Sequence, residues 1–153
     1  MRFQQIKDVL NNVIVYHREL AAEYRELAPI VHDKRVCMLL SYLADHEDQH
    51  RIGLEHYDES DEHYSVLNTW MQNAPDLDLF KVLEELKNYP CSTSMGDVME
   101  LARKTHDSLG DMYHTLAVSS VIRAESDLFN SLAGFQLAEN RRLSRDAGTL
   151  EMY

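Results

Sequence analysis

Six polar residues stand at positions that the surrounding pattern reserves for apolar side chains: His17, Glu47, His50, His106, Gln136 and Glu139. His17 and His106 each open the same pattern, HxxLxxxYxxLA, which continues through Leu20, Tyr24, Leu27 and Ala28 in one case and Leu109, Tyr113, Leu116 and Ala117 in the other. Glu47 and His50 form a Glu-x-x-His pair, and Gln136 and Glu139 repeat its spacing. Imidazoles and carboxylates gathered inside a protein either hydrogen-bond one another or hold a metal ion, because a lone buried charge is too costly to keep.

The pattern belongs to a repeat of the whole chain at a fixed offset of 89 residues. The same offset pairs Leu39 with Leu128, Leu43 with Leu132, Ala44 with Ala133, Leu54 with Leu143, and Asp8-Val9 with Asp97-Val98. Identities at one offset that also fall on a helical period indicate two copies of one helical hairpin. A histidine holds the same inward place in both, which points to an internal site.

Four helices must position these residues. The first predicted seam reads Ile6, Leu10, Val13, His17, Leu20, Tyr24, Leu27, in alternating steps of four and three, and Pro29 ends it. Asp33 caps a second helix with the seam Val36, Leu40, Leu43, Glu47, His50, Leu54, Tyr57, ended by the acidic run 58–62. A third starts near Ser94 and carries Met95, Met99, Ala102, His106, Leu109, Tyr113 and Leu116. By the offset, the fourth carries Ile122, Glu125, Phe129, Leu132, Gln136, Glu139 and Leu143, with its boundary to the third near Ser119–Ser120 and a frayed tail from Asp146. The expected organisation is a single domain over 1–153: hairpin one at about 3–57, a crossover at about 58–94 with a short helix near 77–88, and hairpin two at about 95–146. No strands are expected.

Composition narrows the partners. A formal charge of −11 argues against nucleic acid and anionic membranes, both of which need basic patches. Cys37 and Cys91 form no C-x-x-C pair, so neither a zinc ribbon nor a disulfide framework is expected. With no leader pattern and no apolar run of spanning length, the expected setting is the cytoplasm.

Two hairpins joined by one long connection have the connectivity of ferritin-like bundles. HRELAAEYRELA (17–28), followed by LADHEDQH (43–50), resembles the rubrerythrin-related ferritin-like family over about 6–57 and 95–146. The resemblance implies an all-α four-helix bundle in which each hairpin gives a carboxylate two turns before a Tyr, then a Glu-x-x-His on its second helix. The six metal-ligand positions it implies are those of His17, Glu47, His50, His106, Gln136 and Glu139; only Glu47-x-x-His50 keeps the family's residue types.

That departure changes the expected chemistry. Of the family's four carboxylates only Glu47 and Glu139 remain, which balance one divalent ion, while a second would leave two positive charges uncompensated in a low-dielectric interior. One ion is therefore expected, with iron as first candidate and zinc or manganese as others. His17, Glu47 and His50 form the stronger half-site, completed by His106 or Glu139. The resemblance also implies redox activity toward oxygen or peroxide. The alternative is a metal-free bundle with a buried polar network, serving as a structural or interaction module; a homodimer is expected in either case.

His46-Glu47-Asp48-Gln49-His50 also matches H-E-x-x-H, the zinc-hydrolase signature. Three features count against it: His46 lies off the seam, no third ligand is evident, and no strands are expected to build a cleft. His32, His56, His63 and His114 read as surface residues, and Met95, Met99 and Met112 as core filler. Cys37 reads as buried and Cys91 as exposed, and Tyr24 and Tyr113 as core tyrosines with tethered hydroxyls.

Overall fold

The computed structural model describes residues 3–59, 64–72 and 81–151. Its order is β1 (Phe3–Gln5), α1 (Ile6–Leu27), α2 (Lys34–Glu59), α3 (Tyr64–Leu67), β2 (Trp70–Gln72), α4 (Lys81–Lys87), α5 (Met95–Ser119) and α6 (Arg123–Glu151). The four long helices form an all-α bundle of two hairpins. Within each hairpin the helices pack closely, α1 on α2 and α5 on α6, and α2 is the helix that meets both α5 and α6.

The repeat is structural. Met95 and Arg123, which begin α5 and α6, lie 89 residues after Ile6 and Lys34, which begin α1 and α2. Every predicted seam residue of α1 and α5 is buried, His17 and His106 included. In α2 the seam is buried from Val36 to Leu54, and Tyr57 is half-buried. These faces share one hydrophobic core in which Leu10, Leu20, Leu39, Leu40, Leu43, Leu109 and Phe129 lose essentially all contact with water.

Local chemistry sets the helix ends. Asp8 accepts the Gln5 N–H at 3.2 Å, and Asp33 accepts the Arg35 N–H at 2.8 Å, so each carboxylate serves donors that the first turn cannot satisfy itself. Ser94 and Asp97 form a reciprocal box, each side chain accepting the other's backbone N–H at 3.1 Å. Ser94→Ala is expected to destabilise the fold by about 1 kcal/mol, read as a lower denaturant midpoint with an unchanged slope.

The crossover is more structured than the sequence suggests. Contrary to the expectation of no strands, β1 and β2 pair antiparallel, Phe3 opposite Gln72 and Gln5 opposite Trp70, and Ile6 donates its N–H to the Thr69 carbonyl at 3.1 Å. These bonds tie the crossover to the start of α1. Helix α4 then packs on α1, burying Leu83 and Leu86, and the Cys91 carbonyl accepts the His32 N–H at 3.0 Å beside the α1–α2 turn. The described parts of the crossover thus contact α1 at its start and pack on it through α4. Of the short helix expected near 77–88, Lys81–Lys87 is seen; 77–80 lie outside the described residues, as does His63.

Two boundaries differ from expectation. Asp146 begins no frayed tail: α6 continues to Glu151, with Ala147 buried and the Asp146 carboxylate accepting the Tyr42 hydroxyl at 2.5 Å. That bond pins the C-terminal turns of α6 against α2. Ile122, expected on the α6 seam, is half exposed because it precedes the helix in the α5–α6 turn. Among the described residues no helix is long and apolar enough to cross a membrane.

Candidate metal centre

The six predicted positions come from all four long helices: His17 from α1, Glu47 and His50 from α2, His106 from α5, and Gln136 and Glu139 from α6. Glu47 is the hub. Its Oε2 accepts from His17 Nδ1, and its Oε1 accepts from His106 Nε2 at 2.9 Å. His17, Glu47 and His106 are at most 2% exposed, so this is a dry carboxylate held between two imidazoles.

Burial alone would push the Glu47 carboxyl up. The positive charge available on His17, together with the hydrogen bonds from both imidazoles, outweighs burial and holds Glu47 well below the usual carboxylate range. Burial likewise disfavours charge on His106, but the hydrogen bond and negative charge of Glu47 prevail and raise its pKa. His50 goes the other way. Burial, reinforced by the charges of His17 and His106, brings it down to about 4 against the pull of Glu47 and Glu139. Near neutrality its ring is therefore an uncharged donor, the form in which histidine binds metals.

The layer leaves polar atoms unused. His50 Nε2 and His106 Nδ1 are buried and have no hydrogen-bond partner among the described residues. His50 is wedged between neighbours, with its ring 5.2 Å from His17, 6.0 Å from His106 and 5.2 Å from Phe135. His17, Glu47 and His50 each offer a ligand atom within 4.8 Å of the other two. Ligand atoms around a tetrahedral ion stand about 3.3 Å apart, so the set would close by at most about 1.5 Å to hold one. An idle buried imidazole nitrogen beside such a set fits a metal ion.

The other predicted positions divide. Glu139 reaches the layer, with Oε2 at 3.5 Å from His50 Nε2. Gln136 is buried, but its amide donates to Asn140 Oδ1 at 3.3 Å, and Asn140 donates in turn to Asp107 at 3.1 Å. The Gln136 amide is thus committed to a chain of hydrogen bonds leading away from Glu47. Glu125, also buried on α6, lies eleven residues before Gln136, about 16 Å along the axis, too far to join the layer.

Sequence reasoning missed His46. Set aside as a flank residue, it is four-fifths buried, with Nδ1 3.2 Å from Glu139 Oε2, so His46, His50 and Glu139 form a second group of close donors. The signal was present in the sequence: His46 and His50 are one turn apart on α2 and share a face. Glu139 also supplies the third donor that the H-E-x-x-H reading lacked. Glu47, which would have to activate water in the hydrolase reading, is 1% exposed and bonded to two histidines, which counts against that reading.

His32, His56 and His114 are exposed and the three core methionines buried, as expected. Cys37 and Cys91 are both half-buried, where one buried and one exposed thiol were expected. The Tyr24 hydroxyl is not tethered: it is buried without a partner among the described residues. Beside the layer is a cavity of about 260 Å³, lined by His17, His50, Tyr113, Leu132, Phe135 and Gln136 among others.

No known protein-family profile matches the chain, and no curated protein sequence does. A solved structure does match: a Thermotoga maritima protein provisionally described as a ferritin-like diiron-carboxylate protein. The two are 16% identical and superpose with a TM-score of 0.59 over 95% of each chain. At that identity the likeness concerns architecture. With the connectivity of the two hairpins and the long crossover, it makes this chain a ferritin-like four-helix bundle.

Proposed function

We propose that this protein binds one divalent transition-metal ion at a modified ferritin-like centre, with His17, Glu47 and His50 as the principal ligands. The observation that carries the reading is the buried His17–Glu47–His50 group, whose ligand atoms lie within 4.8 Å of one another beside the His50 Nε2, which makes no hydrogen bond among the described residues and lies 3.5 Å from Glu139 Oε2. A dry site with an idle imidazole nitrogen is costly unless something uses it.

Charge sets the number of ions. Among the described residues, Glu47 and Glu139 are the carboxylates facing the layer. One divalent ion is balanced by this set and two are not. Iron is the first candidate: imidazole with carboxylate suits it, as it also suits zinc and manganese. The diiron description of the structural neighbour points the same way.

Bound iron would supply electron-transfer chemistry toward oxygen or peroxide. The protein's part is to hold His50 neutral, keep Glu47 ionised, and give a small molecule access through the cavity beside His17 and His50.

A metal-free reading has one observation in its favour. His17 and His106 already satisfy both oxygens of Glu47, so that part of the layer is stable without an ion. Elemental analysis of protein purified without an affinity tag separates the two. About one transition-metal ion per chain is expected. None, with no uptake from iron, zinc or manganese, would establish the network reading, and two would refute the charge argument.

A further inference from the structure

We propose that His46, His50 and Glu139 form a second divalent-cation station at the edge of the bundle, sharing His50 with the buried group, and that the ion enters through it. The proposal rests on the one-ion reading above and adds to it a residue, His46, outside the six positions that the sequence implies.

Two of the three outer donor pairs stand near ligand spacing, and all three atoms lie within 4.8 Å of one another. Glu139 Oε2 is 3.2 Å from His46 Nδ1 and 3.5 Å from His50 Nε2, against the separation of about 3.3 Å between ligands on a tetrahedral ion. His50 is 95% buried, and its Nε2 has no hydrogen-bond partner among the described residues although it faces this carboxylate. An ion among the three atoms would use that nitrogen. Neighbouring rings hold both imidazoles in place, with His46 packed 4.5 Å from Tyr42 and His50 5.2 Å from Phe135. Two histidines one turn apart on α2 and a carboxylate on α6 place the donors on rigid elements, which limits the rearrangement needed on binding.

Access distinguishes the two stations. His46 and Glu139 side chains are 20% and 13% exposed, whereas His17 and Glu47 are 1% exposed. Glu139 Oε1 faces outward, 3.9 Å from the largely exposed Arg142 guanidinium. A cation arriving at the α2–α6 edge meets the outer triad first, while, among the described residues, the cavity beside His17 and His50 has no carboxylate in its lining to attract one. To settle on the inner group it must also displace the hydrogen bonds that Glu47 accepts from His17 and His106. Each station has one carboxylate, and both share His50. Four positive charges from two ions would face only Glu47 and Glu139, so one ion occupies one station at a time.

Cobalt(II) tests this directly, because its visible absorption reports its ligand set. The full chain, stripped of metal, is mixed with cobalt and uptake followed by stopped flow in the parent, His46→Ala, His46→Gln and Glu47→Gln proteins, with folding checked by circular dichroism. Both His46 variants should take up cobalt at least ten-fold more slowly than the parent, and still reach one ion per chain. Glu47→Gln should still take up cobalt, at the outer triad, with an altered absorption envelope. Uptake at the parent rate in a folded His46 variant overturns the outer station and leaves the one-ion reading standing. A folded Glu47→Gln protein that takes up none shows that the triad cannot hold an ion, which also overturns it. A folded parent that takes up no cobalt, iron, zinc or manganese overturns the one-ion reading and this proposal with it.

Discussion

Metal-free protein carrying Glu47→Ala is expected to lose about 3–5 kcal/mol of stability, the loss typical of a buried ion pair deprived of one partner. Glu47 accepts from His17 and from His106 within a layer almost closed to water. Truncating it removes both acceptors at once and leaves two buried ring N–H groups with nothing to bond. In urea, with a chelator present, the midpoint should fall by about 2 M, given a slope near 2 kcal/mol/M for a chain of this size. Glu47→Gln should lose less, since its amide keeps one acceptor oxygen and a histidine can change tautomer to meet the new N–H. Asp45→Ala serves as the control: its carboxylate is exposed and paired with a half-exposed Arg25, so its loss should stay within about 0.5 kcal/mol. A Glu47→Ala loss no larger than that of the control would mean that the hydrogen bonds around Glu47 contribute nothing net to the metal-free fold. The layer would then be kept for the ion alone.

The sequence was most readable where one period governs a whole helix. From Ile6 to Leu27 the apolar steps of three and four follow the turn of α1 without a break, and each of those residues is buried. The 89-residue offset carried that reading into α5. Reading failed where short-range pairing or a second helix face decides. Three residues on each side make the β1–β2 pair, too few for alternation to appear in Phe3–Gln5 or Trp70–Gln72. The end of α6 was misjudged because what holds it is a contact from far away in the chain, Tyr42 to Asp146. At the site, treating each helix as a single seam placed His17, Glu47, His50 and His106 inside but excluded His46. In fact α2 meets both α5 and α6, so it presents two adjacent edges, and Glu47 serves one while His46 serves the other. Periodicity shows that a side chain points inward but not which neighbour it meets. The turn of the Gln136 amide toward Asn140 was invisible for the same reason.

A variant carrying His17→Glu, His106→Glu, Gln136→Glu and Glu139→His is expected to bind two divalent ions where the parent binds one. The four changes raise the carboxylates in the layer from two to four, enough to balance two divalent ions, and give α6 the Glu-x-x-His spacing that α2 already has. The backbone favours this outcome, since α6 begins 89 residues after α2 and Gln136 therefore stands where Glu47 stands in the first hairpin. The obstacle is local. The Gln136 side chain now reaches toward Asn140, and its replacement must rotate back into the layer. Gly110 leaves some room on the facing side of α5, where an added Cβ would meet nothing nearer than the Gln136 side chain, at 3.9 Å. Without metal, four carboxylates in a dry layer repel one another, so the metal-free variant should melt below the parent and regain stability steeply as iron or zinc is added. Elemental analysis gives the count, and melting against metal concentration shows whether the ions bind the folded state. A folded variant that still holds one ion, with melting insensitive to a second equivalent, would mean that α6 does not turn these positions toward Glu47. The family-like register would then end at the backbone, and the centre would belong to α1, α2 and α5.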